Sequence, residues 1–162
     1  MTTSGVQTRI ATPQDEPFLR RLFFAVRAPE FQAAGLSPEQ LDELLGQQYK
    51  AMRSHYDQVF ADAEYRIIEA DGESIGYEAT VDRDTIHLLD IALMPEWRNQ
   101  GIGTARMELL QERARQSGKS LTLSVEKFNP ALRLYERLGF RFAADMGIYQ
   151  RMQWGCVSGE VR

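Results

Sequence analysis

The segment Arg98-Asn99-Gln100-Gly101-Ile102-Gly103-Thr104 has the residue types and spacing that point most directly to chemistry. Its two glycines let the backbone approach a ligand closely and take up conformations that other residues avoid. An apolar run ending at Leu93 precedes it and a helical pattern follows, so the N–H groups of the turn converge where a helix begins. The helix dipole adds positive potential there, which suits a phosphate group. Arg98 adds charge-assisted hydrogen bonding. The same glycines also fit a tight strand-to-helix turn that serves packing alone. Two other phosphate-binding patterns are excluded. Gly101-Ile102-Gly103 has no third glycine at the dinucleotide spacing, and no acidic strand end follows about twenty residues on. Thr104 follows Gly103 directly, where a nucleoside triphosphate loop needs a lysine.

The elements that must position this turn can be read on either side. Gln7 to Ala11 suits a short strand. Thr12-Pro13-Gln14-Asp15 reads as a helix start, with an oxygen to accept a backbone N–H, a proline for the first position and a carboxylate at the positive end. Phe18, Leu19, Leu22, Phe23 and Val26 follow at helical spacing. Ser37-Pro38-Glu39-Gln40 is a second start, with Gln40 at the capping-box position, and its helix runs into the mid-fifties. Tyr65 to Ala70 and Ile75 to Val81 read as strands around an Asp71-Gly72-Glu73 turn. Thr85 to Leu93 is a third strand, apolar enough to be central and covered on both faces. A helix with Ile102, Ala105, Leu109 and Leu110 among its apolar positions reaches about Gln116. Leu121 to Val125 is a strand, Asn129-Pro130 opens a helix through Leu138, and Phe140 to Phe142 pairs with Ile148 to Trp154. The order predicts a single α/β domain with a mixed, twisted sheet. Its central strands, Thr85–Leu93 and Leu121–Val125, are parallel because a helix joins them. The domain spans 7–154, between a flexible terminus at 1–6 and a tail at 155–162.

Composition narrows the function. The chain has 162 residues, 43% hydrophobic, with a formal net charge of −4. That is enough chain for one core, and an acidic balance is wrong for gripping a nucleic-acid backbone. Cys156 is the single cysteine, so no internal disulfide and no cysteine metal site is expected. No apolar run reaches the ~20 residues a membrane span needs, and the first eight residues carry no signal-peptide pattern. The expectation is a cytoplasmic domain with no nucleic-acid or membrane partner.

Arg98-x-x-Gly101-x-Gly103, preceded by Leu88-Leu89-Asp90-Ile91-Ala92-Leu93-Met94-Pro95, resembles the coenzyme-A-binding motif of the GNAT N-acetyltransferase superfamily. Leu123-Ser124-Val125-Glu126-Lys127-Phe128-Asn129-Pro130-Ala131, with Leu134-Tyr135-Glu136-Arg137-Leu138-Gly139-Phe140, is similar to its second signature. The match covers about residues 85 to 142. The resemblance implies a fold whose two central parallel strands splay apart to admit the cofactor. It also implies that backbone groups of Ile91, Ala92 and Leu93 pair with the pantetheine arm. The N–H groups of Asn99, Gln100, Gly101, Ile102, Gly103 and Thr104 hold the pyrophosphate, with Arg98 helping. Asn129 hydrogen-bonds the pantetheine, and Tyr135 lies near the thioester sulfur. Acetyl-CoA is the implied co-substrate, with no metal.

Acyl transfer to an amine needs a neutral nucleophile, a polarised carbonyl and a proton for the departing thiolate. Leu93 N–H suits the carbonyl, and the Tyr135 phenol suits the thiolate. Base candidates are Asp90, His87 and Glu126, with Glu78 behind them. Asp90 and His87 differ by an odd number and so are expected on opposite strand faces. The resemblance matches His87 to a position where some members carry a glutamate base, and Asp90 to one where some carry an acid toward the amine. Members that acetylate ribosomal-protein N-termini carry a glutamate where Ser124 stands, which favours small-molecule amines here. Phe24 and Phe31 fit either an acceptor-pocket lining or ordinary core. The expected activity is direct acetyl transfer to a primary amine in a ternary complex. A protein N-terminal or lysine acetyltransferase and a non-catalytic acyl-CoA-binding module are the alternatives. An exposed edge strand near Ile148 to Trp154 suits a homodimer.

Overall fold

The computed structural model describes residues 5–155, so Cys156 and nearly all of the expected tail lie outside the described residues. Strand β1 is Val6–Ile10, and a 3₁₀ turn at Pro13–Asp15 leads into α1, Glu16–Arg27. A second 3₁₀ segment, Ala28–Ala34, precedes α2, Pro38–Val59. Strands β2 (Glu64–Ala70), β3 (Glu73–Asp82) and β4 (Ile86–Leu93) follow. Then come a 3₁₀ turn at Pro95–Trp97, α3 (Ile102–Ser117), β5 (Leu121–Glu126) and α4 (Ala131–Arg137). A hairpin of β6 (Arg141–Met146) and β7 (Tyr149–Trp154) closes the chain. The sheet is seven-stranded and mixed, in the order β1-β2-β3-β4-β5-β7-β6. β4 and β5 are parallel, as the crossover through α3 requires. Their ladder pairs Ile86, His87 and Leu88 with Leu121, Thr122 and Leu123, and both strands continue beyond it. Among the described residues no helix is long and apolar enough to cross a membrane.

Two compact units are distinguished within the chain. One holds the residues through Ala79 together with Asp90–Gly103, and the other holds Thr80–Leu89 and the residues from Thr104 onward. In the first, the local signals act as expected. Ser37 Oγ accepts from the Gln40 N–H and Gln40 Oε1 accepts from the Ser37 N–H, closing the capping box of α2. Asp15 does more than face a helix end. It accepts two hydrogen bonds from the Arg9 guanidinium at 2.7 and 2.8 Å and one from the Thr12 N–H, tying β1 to the start of α1. Phe18, Leu19 and Leu22 of α1, with Leu45 and Tyr49 of α2, are buried.

In the second unit, Met107, Leu110 and Ala114 of α3 are buried, as are Ile86, Leu88, Leu121, Leu123, Val125 and Met152. Leu109 is 55% exposed, so the apolar stripe of α3 is narrower than its composition indicates. β4 is not covered throughout: Ile86 and Leu88 are buried, whereas residues 89–93 are half-buried. β7 is not the edge strand expected at Ile148–Trp154. It inserts between β5 and β6, because Met152 opposite Leu123 has a core to join, whereas β6 is polar or exposed at nearly every position. The sheet edges are β1 and β6, which removes the stated basis for a dimer along β7.

Candidate active site

In the first unit, the turn after β4 is built from backbone hydrogen bonds that leave its tip unpaired. The Met94 N–H donates to Ile75 O at 2.8 Å, anchoring the end of β4 to β3. Trp97 N–H donates to Met94 O and Arg98 N–H to Pro95 O, forming the 3₁₀ turn. Beyond it the N–H groups of Asn99, Gln100 and Gly101 donate to no backbone carbonyl among the described residues. Asn99 and Gly101 take φ of 62° and 83°, the left-handed values that turn successive N–H groups toward one point. Gly103 is different. It lies in α3 without a left-handed φ, and a Cβ built on it meets nothing within 4 Å among the described residues. The packing of the described residues therefore gives no reason for a glycine there. Ile102 anchors the helix start by burial with Ile68, Ala70 and Ile75, with Leu93 and Trp97 packed alongside. Arg98 is exposed, and its Nε donates to Leu93 O at 3.1 Å, holding the guanidinium beside the turn.

A second close approach lies at Gly76 on β3. A Cβ there would sit 2.7 Å from Leu93 Cδ2 and closer still to the Ala92 carbonyl oxygen. Only glycine lets β4 pass at this distance. Nearby, Tyr77 donates a short hydrogen bond from its hydroxyl to Asp90 Oδ2. Burial pushes the Asp90 carboxyl above its ordinary value, while the Tyr77 hydroxyl, the Ile91 N–H and the Arg27 charge pull it back. Burial beside that carboxylate pushes the Tyr77 phenol well up, so it acts as a donor. Tyr77 carried no motif in the sequence, and a buried tyrosine's need for a partner was its one available signal. Glu78 is also buried, at 2% exposure. Phe24 lies under the Arg20 guanidinium, 4.3 Å from its ring centre, and Phe31 is half-buried.

The remaining candidates belong to the second unit. His87 Nδ1 is 2.7 Å from Thr122 Oγ1, its register partner on β5. Burial, with the charges of Arg151 and Arg83, lowers its pKa to about 4, so the ring is neutral at pH 7. Glu126 ends β5 with its side chain exposed, and its carbonyl accepts from the Asn129 N–H. Asn129 Oδ1 accepts from the Ala131 N–H at 2.8 Å and so starts α4. Tyr135 is half-buried, edge-on to Phe140 at 5.9 Å between ring centres, and its carbonyl accepts from the Phe140 N–H. Gln111 of α3 donates to Leu138 O at 2.8 Å, clasping the end of α4. Thr104 is half-buried in the first turn of α3. Among the described residues no three His, Cys, Asp or Glu side chains cluster as metal ligands.

The acetyltransferase (GNAT) family matches residues 21–140, and the chain belongs to it. No curated protein matches the chain by sequence. Among solved structures, the PaiA N-acetyltransferase of Thermoplasma acidophilum in complex with coenzyme A is similar. It superposes with a TM-score of 0.70 at 19% identity, covering 94% of this chain and 98% of that one. An acetyltransferase from Thermus thermophilus gives 0.66 at 20% identity, over 95% and 99% of the two chains. A GNAT family acetyltransferase from Elizabethkingia anophelis, with acetyl-CoA bound, gives 0.62 at 18% identity, over 93% and 97%. At such identities the likeness is one of fold.

Proposed function

We propose that the chain transfers the acetyl group of acetyl-CoA directly to the primary amine of a small molecule. The observation that carries this reading is the turn from Asn99 to Gly103. Among the described residues, it has N–H groups that donate to no backbone carbonyl, two left-handed residues and a glycine whose missing side chain answers to no neighbour. A pyrophosphate fits that description, and the family match supports the choice. Arg98 adds charge beside it. The β4 backbone through Ala92 and Leu93 pairs with the pantetheine arm, at the place where Gly76 permits the strand's course. Asn129 has its Oδ1 committed to α4, so its Nδ2 is the group left to donate to pantetheine.

Asp90 is the base in this reading. Asp90 immediately precedes the Ile91–Leu93 stretch of β4, and burial shifts its carboxyl upward, so it holds a proton more readily than a free carboxylate, whereas His87 is shifted down to about 4 and lies against Thr122. Asp90 takes the ammonium proton, directly or through water, and frees the amine for attack. Leu93 N–H polarises the thioester carbonyl. As the C–N bond forms and the C–S bond breaks, the Tyr135 hydroxyl gives its proton to the leaving thiolate, and the second proton shed by the nitrogen on becoming an amide restores the phenol through solvent. Exposed Glu126 helps to draw in the cation.

The test is a panel of free amines and peptides assayed by release of free CoA, with calorimetry of acetyl-CoA binding alongside. Turnover with free amines and not with peptides is expected. Peptide-only turnover would move the assignment to a protein acetyltransferase. Tight acetyl-CoA binding with no turnover on any acceptor would make the chain a binding module.

A further inference from the structure

The sheet of the second unit has two unlike faces. Register and alternation put Ile86, Leu88, Leu121, Leu123, Val125 and Met152 on one, all buried and apolar. The other carries His87, Thr122, Ser124 and Arg151. His87 stands opposite Thr122, Ser124 lies two residues along the same strand, and Arg151 stands opposite Ser124. Thr85 adds its hydroxyl 3.5 Å from that of Thr122. A polar face of this composition needs an acceptor for its cation. Among the described residues, Arg151 Nε is buried and has no hydrogen-bond partner. A guanidinium N–H shut off from water and left unpaired is costly, and native structures rarely keep one without a use for it. Arg151 as a whole is only half-buried and Ser124 beside it is exposed, so a ligand can approach the guanidinium although its Nε is covered. Arg151 and Arg83 both help burial to lower the His87 pKa, so each contributes positive potential there.

We propose that Arg151, with the hydroxyls of Ser124 and Thr122, forms a subsite for an oxyanion, the carboxylate of an acceptor that is itself an amino acid. A planar guanidinium matches a carboxylate fork, and the two hydroxyls supply neutral donors beside it. The subsite uses the His87 tautomer in which Nδ1–H donates to Thr122 Oγ1, which fixes that hydroxyl and leaves its O–H to donate to the ligand. The exposed carboxylate of Glu126 is two residues beyond Ser124 on the same face, so the charge changes sign along β5. That polarity suits a zwitterion, with its anionic end toward Arg151. The choice of a carboxylate rests on the acetyl-transfer reading, while the oxyanion site itself does not.

The experiment reads the Nε–H resonance of Arg151 in ¹⁵N-arginine-labelled protein, identified by its loss in Arg151→Lys. The probes are N-acetyl-L-leucine, its analogue N-isopentylacetamide that lacks the carboxylate, and inorganic phosphate. Saturable movement with N-acetyl-L-leucine and none with the amide is expected. Arg151→Met should weaken that binding by roughly 10- to 100-fold, the range for one charge-assisted pair. The same variant should lower kcat/KM for L-leucine and leave that for isopentylamine within about twofold. Movement with phosphate alone would overturn the carboxylate assignment. No movement with any probe, in a protein whose melting temperature is unchanged, would overturn the subsite. A retained response to N-acetyl-L-leucine with no acetyl transfer to any amine would remove the enzymatic reading and leave the site standing.

Discussion

Replacing Gly103 with alanine separates the demands of the fold from those of a ligand. The added methyl group meets nothing within 4 Å among the described residues, and the position has an ordinary helical backbone, so the fold around it has no objection to it. Alanine reduces the freedom of the unfolded chain and favours the helix, which stabilises by about 0.4–1 kcal/mol. For a chain of this length, that raises the melting temperature by roughly 1–4 °C. Binding should move the other way. A methyl group standing where the pyrophosphate approaches the α3 N-terminus breaks at least one charge-assisted hydrogen bond. Such a bond is worth about 1.5–3 kcal/mol, so acetyl-CoA affinity should fall about ten- to a hundredfold. Gly101→Ala is the control. Its φ of 83° forces a side chain into the left-handed region, so this variant should lose about 1–2 kcal/mol of stability without any ligand. Calorimetry with acetyl-CoA and thermal melting of the ligand-free proteins give both quantities. A Gly103→Ala protein that melts higher and binds acetyl-CoA as tightly as the parent would refute the placement of the pyrophosphate on this turn.

Gly76→Ala should do what Gly103→Ala does not. Its Cβ would press on the Ala92–Leu93 backbone, costing about 1–3 kcal/mol and weakening acetyl-CoA binding, whereas parental affinity in a folded variant would exclude this stretch of β4 from the site. Tyr77→Phe keeps the ring and removes the donor to Asp90. The Asp90 carboxyl should then rise further, so the acidic limb of kcat/KM moves to higher pH, and an unmoved limb would mean that Asp90 is not the titrating base. His87 sets a stability window of its own. Its folded pKa of about 4 lies below the unfolded value of about 6.5. As pH falls through that interval the unfolded chain takes up a proton that the folded one refuses, so stability declines from pH 6.5 toward 4 and is flat above. Denaturant melts of His87→Gln should show a shallower decline, and parallel curves would count against a buried neutral ring.

What the sequence alone determined is mostly local. The capping box at Ser37 and Gln40 and the turn from Arg98 to Gly103 are specified by residues a few positions apart, and they form where they were expected. The parallel pair also follows from chain order, because a helix between two strands leaves one handed solution. Hydrophobic pattern was less exact. It counted Leu109 among the apolar positions of α3 although that side chain faces water, and it read β4 as covered throughout although residues 89–93 are half-buried. Apolar content tells that a strand or helix can be buried, not how far a neighbour extends over it. Strand order lay beyond reach for the same reason. Nothing local to Ile148–Trp154 records that β6 lies outside it, since Met152 finds Leu123 only once the sheet is assembled. The candidate chemistry divides the same way. Asp90 and His87 could be singled out by type and position, but their partners could not. Tyr77 is 13 residues from Asp90 and Thr122 is 35 from His87 along the chain, and only the pairing of whole strands brings them within hydrogen-bonding distance. The shifted proton affinities follow from those contacts and from burial, both of which are properties of the folded interior and not of any residue by itself.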